Sequence, residues 1–244
     1  MKILLSPPSV NGFFTAVYHA YYTHKDAEKI VSAALPRNFL DEYIEVDEDE
    51  SLAERVKNGI KKISRALYGE ILYALRSGSP DKEETVFGYL KLSFKHGAAA
   101  AEMFGENAVS DFGGILRKVK KELERLLGFI RLKEMQNGAY YGFFSSDNDI
   151  LDCLASNFAK RFSDRPFILH DYKRKKAAVW DGAEINYFDM PENVTVELSE
   201  NETAFQNLWK TYHKTIAVKE RSNPRLQRGF APKKYRHFMS EFDG

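Results

Sequence analysis

The sequence predicts an α+β fold with a helical N-terminal half, a small antiparallel sheet with a covering helix in hairpin–helix–hairpin order, and a helical, basic C-terminal segment. Three observations carry this. Apolar residues recur every three or four positions from Leu52 to Leu126, the helical period. The pattern changes at Gly128 to short aromatic and apolar runs separated by Asn137-Gly138 and Asp181-Gly182. Positive charge then collects near the end: Gln206–Gly244 holds nine bases and three acids, a net +6, while the whole chain carries +1. The division is either a single compact domain over 1–244, or a mainly helical region over 1–127, an antiparallel ββαββ region over 128–190 and a C-terminal helical basic segment over 191–244.

In order, Lys2–Leu5 reads as a short strand stopped by Pro7-Pro8, and Asn11-Gly12 starts a helix whose Phe13, Phe14, Val17 and Tyr21 form a core-facing stripe. Asp41–Glu54 has eight acids and no base, which suits a solvated connection leading into a helix with Ser51 as its N-cap. From Leu52, Val56, Ile60, Ile63, Leu67, Ile71 and Leu75 describe that amphipathic helix, ended by Ser77-Gly78-Ser79-Pro80. Thr85–Phe104 is a second, whose Ala98–Ala101 run permits close helix packing. Phe112 to Leu126 forms a third, with the charged run Arg117–Arg125 on its solvated outer face.

Gln136-Asn137-Gly138 predicts a tight hairpin between Phe129–Met135 and Ala139–Ser145, both central residues taking positive φ. Asp147 or Asp149 caps a helix through Leu151, Leu154, Phe158 and Phe162. Strands come next at Phe167–Tyr172, Ala177–Trp180 and Ile185–Phe188. A helix near Asn201–Arg221 places Phe205, Leu208, Trp209, Tyr212 and Ile216 on a buried stripe. Pro224 forces Asn223 into extended geometry and ends it. Pro224–Ala231 reads as an irregular loop presenting Arg225, Gln227 and Arg228, and Pro232 opens a last short helix through Tyr235 and Phe238.

The run Glu220–Glu241, ERSNPRLQRGFAPKKYRHFMSE, resembles the C-terminal signature of the DUF4130 family, whose members are described as DNA repair or DNA metabolism proteins. NGFFTAVYHAY, LLGFIRL, FILHDYKR and LWKTYHKTIAVKERSNPRLQR fall in the family's order along most of the chain. The matching positions are Asn223, Pro224, Arg225, Gln227, Arg228, Pro232 and Tyr235, with Trp209, Arg131, His170 and Asp171. The resemblance implies DNA as a partner and a radical-SAM protein as a second. Related domains are fused to uracil-DNA-glycosylase-like domains. This chain departs from the family pattern near Glu124 and Asn148, where histidines usually stand, and at Ala231 and Arg236, where a methionine and a tryptophan are usual.

The residues themselves supply a binding mechanism. Arg225, Arg228, Lys233 and Lys234 can neutralise phosphates, Asn223 and Gln227 offer amide donors and acceptors, and Tyr235 and Phe230 can stack on an unpaired base. The competing reading ties these bases onto the Asp41–Glu54 acids. For catalysis the candidates are His170, Asp171 and Arg131, but adjacent strand residues point to opposite faces, so His170-Asp171 is not a pair by adjacency. His19, His24 and His96 have no zinc spacing, Gly113-Gly114 lacks the lysine and serine of a phosphate loop, and Cys153 reads as an inert buried thiol. One cysteine excludes an internal disulfide. No apolar run suits a membrane span, the opening decapeptide is too short for a secretory signal, and no cofactor motif is present, which together suit the cytoplasm. Three functions are compatible with these features: a DNA-binding accessory to a partner enzyme, a DNA-processing enzyme, or a module gripping an acidic protein.

Overall fold

The computed structural model describes residues 1–34, 36–218 and 221–242. It is mixed α+β, and its contacts separate two compact units, Met1–Lys120 and Lys121–Gly244.

In the first unit, β1 (Lys2–Ser6), β2 (Lys29–Ser32) and β3 (Glu42–Glu45) form a parallel sheet in the order β2-β1-β3. Helix α1 (Val10–Tyr22) links β1 to β2 and buries Phe13, Phe14 and Val17 as expected. The small parallel sheet corrects the reading of this half as helices after a single strand. Its strands are only four or five residues long, too short for periodicity to register, and β3 hides within the acidic run because its side chains are largely exposed.

The predicted Leu52–Leu75 helix is two helices, α2 (Glu50–Ile63) and α3 (Arg65–Leu75). Ser64, at φ −163° and ψ 130°, ends one, and its hydroxyl accepts from the Leu67 N–H of the other. The apolar period continues across such a break and cannot disclose it. Asp49, not Ser51, caps α2, accepting from Leu52 N–H. Helix α4 (Lys82–His96) stops at Gly97, φ 63°, so Gly97–Glu102 is a 3-10 turn in which only Ala100 is buried. Buried residues of these helices pack with α1 and the start of α5 (Asn107–Phe129), the helix within which the unit boundary falls.

Gly12 gives this unit a direct test. Its N–H is capped by Ser9 Oγ, and a Cβ built there would lie 2.7 Å from Pro7 Cβ. Alanine normally gains about 1 kcal/mol over glycine in a helix. Here overlap with a ring fixed in a tight turn costs about 1–3 kcal/mol. Gly12→Ala is therefore expected to lower the helix-monitored unfolding midpoint by circular dichroism. A raised midpoint refutes the close approach.

In the second unit, β4 (Lys133–Glu134), β5 (Tyr140–Phe144), β6 (Phe167–Asp171), β7 (Lys176–Trp180) and β8 (Ile185–Asp189) form one sheet in chain order. The strands fall near their expected places, but only Lys133–Glu134 of the Phe129–Met135 run is strand, Phe129 ending α5 instead, and the sheet is mixed, because β5 and β6 run parallel. The cause is α6 (Leu151–Arg161), which carries the chain back before β6 begins, so the two strands start from the same end. The β4–β5 hairpin has positive φ at Gly138 (80°) alone, with the Asn137 carboxamide accepting from Ala139 N–H. Phe144, Phe167 and Leu169 are buried beneath Leu154 and Phe158 of α6. Neither Asp147 nor Asp149 caps α6, which has no side-chain cap. Cys153 is half-buried, not fully buried.

Helix α7 (Glu200–Thr215) rests on the unit through Glu202, which accepts from Glu134 N–H, and through Trp209. The stripe predicted to be buried is exposed: Phe205, Leu208, Tyr212 and Ile216 are all more than half accessible. The sequence marks an apolar stripe correctly but cannot tell a core from an open surface. Lys219 and Glu220, expected near this helix's end, lie outside the described residues. Helices α8 (Pro224–Phe230) and α9 (Lys233–Arg236) complete the second unit with a final turn at Ser240–Phe242. Among the described residues no helix is long and apolar enough to cross a membrane.

Candidate nucleic-acid interface

The segment expected to be an irregular loop is a helix. Pro224 does hold Asn223 extended (φ −137°, ψ 91°), but Asn223 then serves as N-cap, its carboxamide oxygen accepting from Leu226 N–H at 3.0 Å. Proline at the first helical position needs no N–H partner and starts α8.

Along α8, Arg225 and Gly229, and Leu226 and Phe230, are spaced i, i+4 and share one side. With Asn223 they form one wall of an open groove of about 620 Å³, opposite Lys121, Glu124 and Arg125 of α5. Three cations face one carboxylate, and no ion pair engages Lys121, Arg125 or Arg225 among the described residues. Phe230 is 73% exposed and Leu226 57%.

The other anticipated binding residues are dispersed. Gln227 and Arg228 are exposed but do not line the groove, and Arg228 Nε donates to the Pro224 carbonyl. Lys233 is exposed and unpaired among the described residues. Lys234 turns inward, its ammonium 2.6 Å from Asp147 Oδ2 and 3.6 Å from Glu122 Oε1. Burial draws the Lys234 pKa down, but the Asp147 hydrogen bond and other contacts hold it well above the ordinary value. Tyr235 is 1% exposed and donates to Glu122 Oε1 at 2.9 Å, leaving no open face for stacking.

Glu122 holds this arrangement together, and sequence reasoning missed it. Buried in α5, it accepts from Asp147 N–H (3.0 Å), Asn148 N–H (2.9 Å), Asn148 Nδ2 (2.6 Å) and the Tyr235 hydroxyl. The available signal was a glutamate between Val119 and Leu126, three after one and four before the other, on the apolar stripe of α5. Lys121 and Arg125, read as lying on a solvated face, were missed as groove residues for the opposite reason: a surface charge carries no mark of the concavity beside it.

The catalytic candidates occupy three separate settings. His170 faces Tyr141, whose hydroxyl lies 2.8 Å from Nδ1. Asp171, fully buried on the other face of β6, pairs with Arg174 Nη1 at 2.8 Å and accepts from Ser146 Oγ. Arg131 pairs with Glu241 at 2.7 Å, and Glu241 also accepts from Trp209 Nε1 at 3.2 Å.

That last cluster fixes α7, and it titrates. Burial pushes Glu241 up, but its own backbone N–H, Arg131 and Trp209 together hold it below the ordinary 4.5. A carboxyl with its folded pKa depressed contributes stability above the unfolded value, and loses it as pH falls through the folded one. Acidification below about pH 4.5 is expected to release Trp209. In a Trp180→Phe background, tryptophan emission should shift toward that of a solvated indole, and Arg131→Met should move the transition to higher pH. An emission maximum indifferent to Arg131→Met counts against the coupling.

Compared with known families, residues 80–241, more than half of the chain, match the DUF4130 model, described as a domain of unknown function. The match includes α5, α8 and the whole groove between them. Comparison with curated proteins finds no match.

Proposed function

The chain belongs to the DUF4130 family, and we propose that it binds DNA in the α5–α8 groove as an accessory to a partner repair or modification enzyme. The observation that carries this reading is the groove itself. It combines three cations that have no ion pair among the described residues with an exposed phenyl ring in an open channel, the combination that tracks a phosphate backbone and stacks on unpaired bases. A single strand fits best, because Phe230 can reach a base face only where bases are not stacked in a duplex.

Holding is favoured over chemistry by this chain because His170, Asp171 and Arg131 are engaged in three different clusters. The partner enzyme, a radical-SAM protein as the family resemblance implies, then supplies cofactor and reaction. A second reading, a module gripping an acidic protein, draws on the same cations and on the exposed apolar stripe of α7.

Fluorescence anisotropy with labelled single- and double-stranded oligonucleotides across a salt series tests the proposal. Tighter binding of the single strand, falling linearly in log affinity with log salt, is the expected result. No binding at low salt, together with capture of an acidic protein that survives nuclease treatment, selects the second reading.

A further inference from the structure

The sheet of the second unit presents, on the face away from α6, an aromatic surface that the groove does not use. The parallel register sets Phe143 beside His170, Tyr141 lies two residues earlier on β5, and β4 places Lys133 beside Tyr141. Over this surface passes the segment 191–198. It is fastened at one end by Met190 N–H to the Lys175 carbonyl (2.8 Å). At the other, Gln136 N–H reaches the Glu197 carbonyl (3.1 Å) and Ser199 N–H the Glu134 carbonyl (3.0 Å). Between sheet and segment lies a cavity of about 560 Å³, lined by Lys133, Tyr141, Phe143, His170 and Tyr172 beneath, and by Glu192, Asn193, Val194 and Thr195 among others above.

His170 is 1% exposed, and its Nε2 has no partner at hydrogen-bonding geometry. Burial lowers its pKa, while the Met190 backbone and the Asp171 charge oppose the shift. The ring is therefore neutral at pH 7 and carries one proton. We assign the Tyr141 hydroxyl as donor to Nδ1, which puts that proton on Nε2 as a buried donor. Lys133 adds a second donor: its ammonium stands 5.8 Å from the Phe143 ring centroid and has no ion pair among the described residues.

We infer that this cavity takes a single nucleobase bearing ring carbonyls, one face on the aromatic floor at Phe143, the other beneath the 191–198 segment, and its oxygens toward His170 and Lys133. The aromatic floor suits any flat heterocycle, so selectivity comes from the polar groups: Lys133 and His170 donate from the sheet, and Glu192 on the overlying segment accepts. Thymine and guanine carry a carbonyl oxygen beside a ring N–H and can use both; adenine has no carbonyl for the donors of the sheet. The inference rests on the nucleic-acid reading, and it names the base as the moiety captured while the groove holds the backbone.

Free deoxynucleosides test it without any phosphate for the groove to bind. By ligand-observed NMR, thymidine and deoxyguanosine are expected to bind about tenfold more tightly than deoxyadenosine, the value of one hydrogen bond. Val194→Trp, which fills the cavity from the overlying segment and leaves the sheet intact, should abolish binding of all three. Lys133→Met should remove most of the preference for the oxo bases. The inference fails if no nucleoside binds up to its solubility limit, or if Val194→Trp binds as wild type does. Lys121→Ala/Arg225→Ala keeps the two readings apart. Oligonucleotide affinity that this variant loses, without nucleoside binding by wild type, retains the groove and rejects the base site. Nucleoside binding without oligonucleotide affinity does the reverse.

Discussion

Glu122→Ala is expected to destabilise the second unit by about 3–5 kcal/mol, the cost of leaving buried partners without their charged acceptor. Four groups donate to this carboxylate: two backbone N–H groups at the entrance to α6, the Asn148 carboxamide and the Tyr235 hydroxyl. None can turn to solvent without moving the chain, and Lys234 keeps only the more exposed Asp147. Both tryptophans, Trp180 and Trp209, lie after residue 121, so tryptophan emission follows this unit alone. At roughly 2–4 °C per kcal/mol, the emission-monitored midpoint should fall by about 6–20 °C. Glu122→Gln retains one oxygen acceptor and should cost less than alanine. A fall below about 1 kcal/mol for alanine would mean that α5 and α9 are not joined through this residue.

How much of this was legible in the sequence depends on the range of the signal. Elements fixed by neighbours were found: the α1 stripe of Phe13, Phe14 and Val17, the Gly138 and Gly182 turns, and the strands β6 to β8. Directions were not. The β5–β6 pairing is parallel because of where α6 leaves the chain, which no residue of either strand encodes. Likewise, Pro224 correctly dictated extended geometry at Asn223, yet the same residue can precede a loop or start a helix. The Asn223 cap decided for the helix.

The binding residues divide in the same way. Charge pointed to a segment that lines the groove and to Arg225, but a list of bases cannot separate Arg225, open in the groove, from Lys234, held by Asp147 and Glu122. Tyr235 looked like a stacking residue because aromatic character is local, whereas its burial is set by α5, more than a hundred residues earlier. Glu122 was the one decisive residue that a wheel could have singled out, as an acid on an apolar stripe.

The groove makes a quantitative demand of its three cations. Each phosphate contact to a single strand contributes about 0.7 to the slope of log affinity against log salt. Replacing Lys121, Arg125 and Arg225 together by alanine should therefore reduce that slope by about 2. At 0.15 M salt the loss of counterion release alone lowers affinity on the order of 50-fold. Phe230→Ala should behave differently, costing about 1–3 kcal/mol through lost stacking while leaving the slope unchanged. Arg228→Ala/Lys233→Ala removes two cations that do not line the groove, and so serves as the control for net charge. If only the positive character of the segment mattered, this double variant would lose affinity in proportion to its charge, about two thirds as much in slope as the triple variant. A small effect in the control beside a large one in the triple variant assigns binding to the channel between α5 and α8, and equal effects per charge remove it from there.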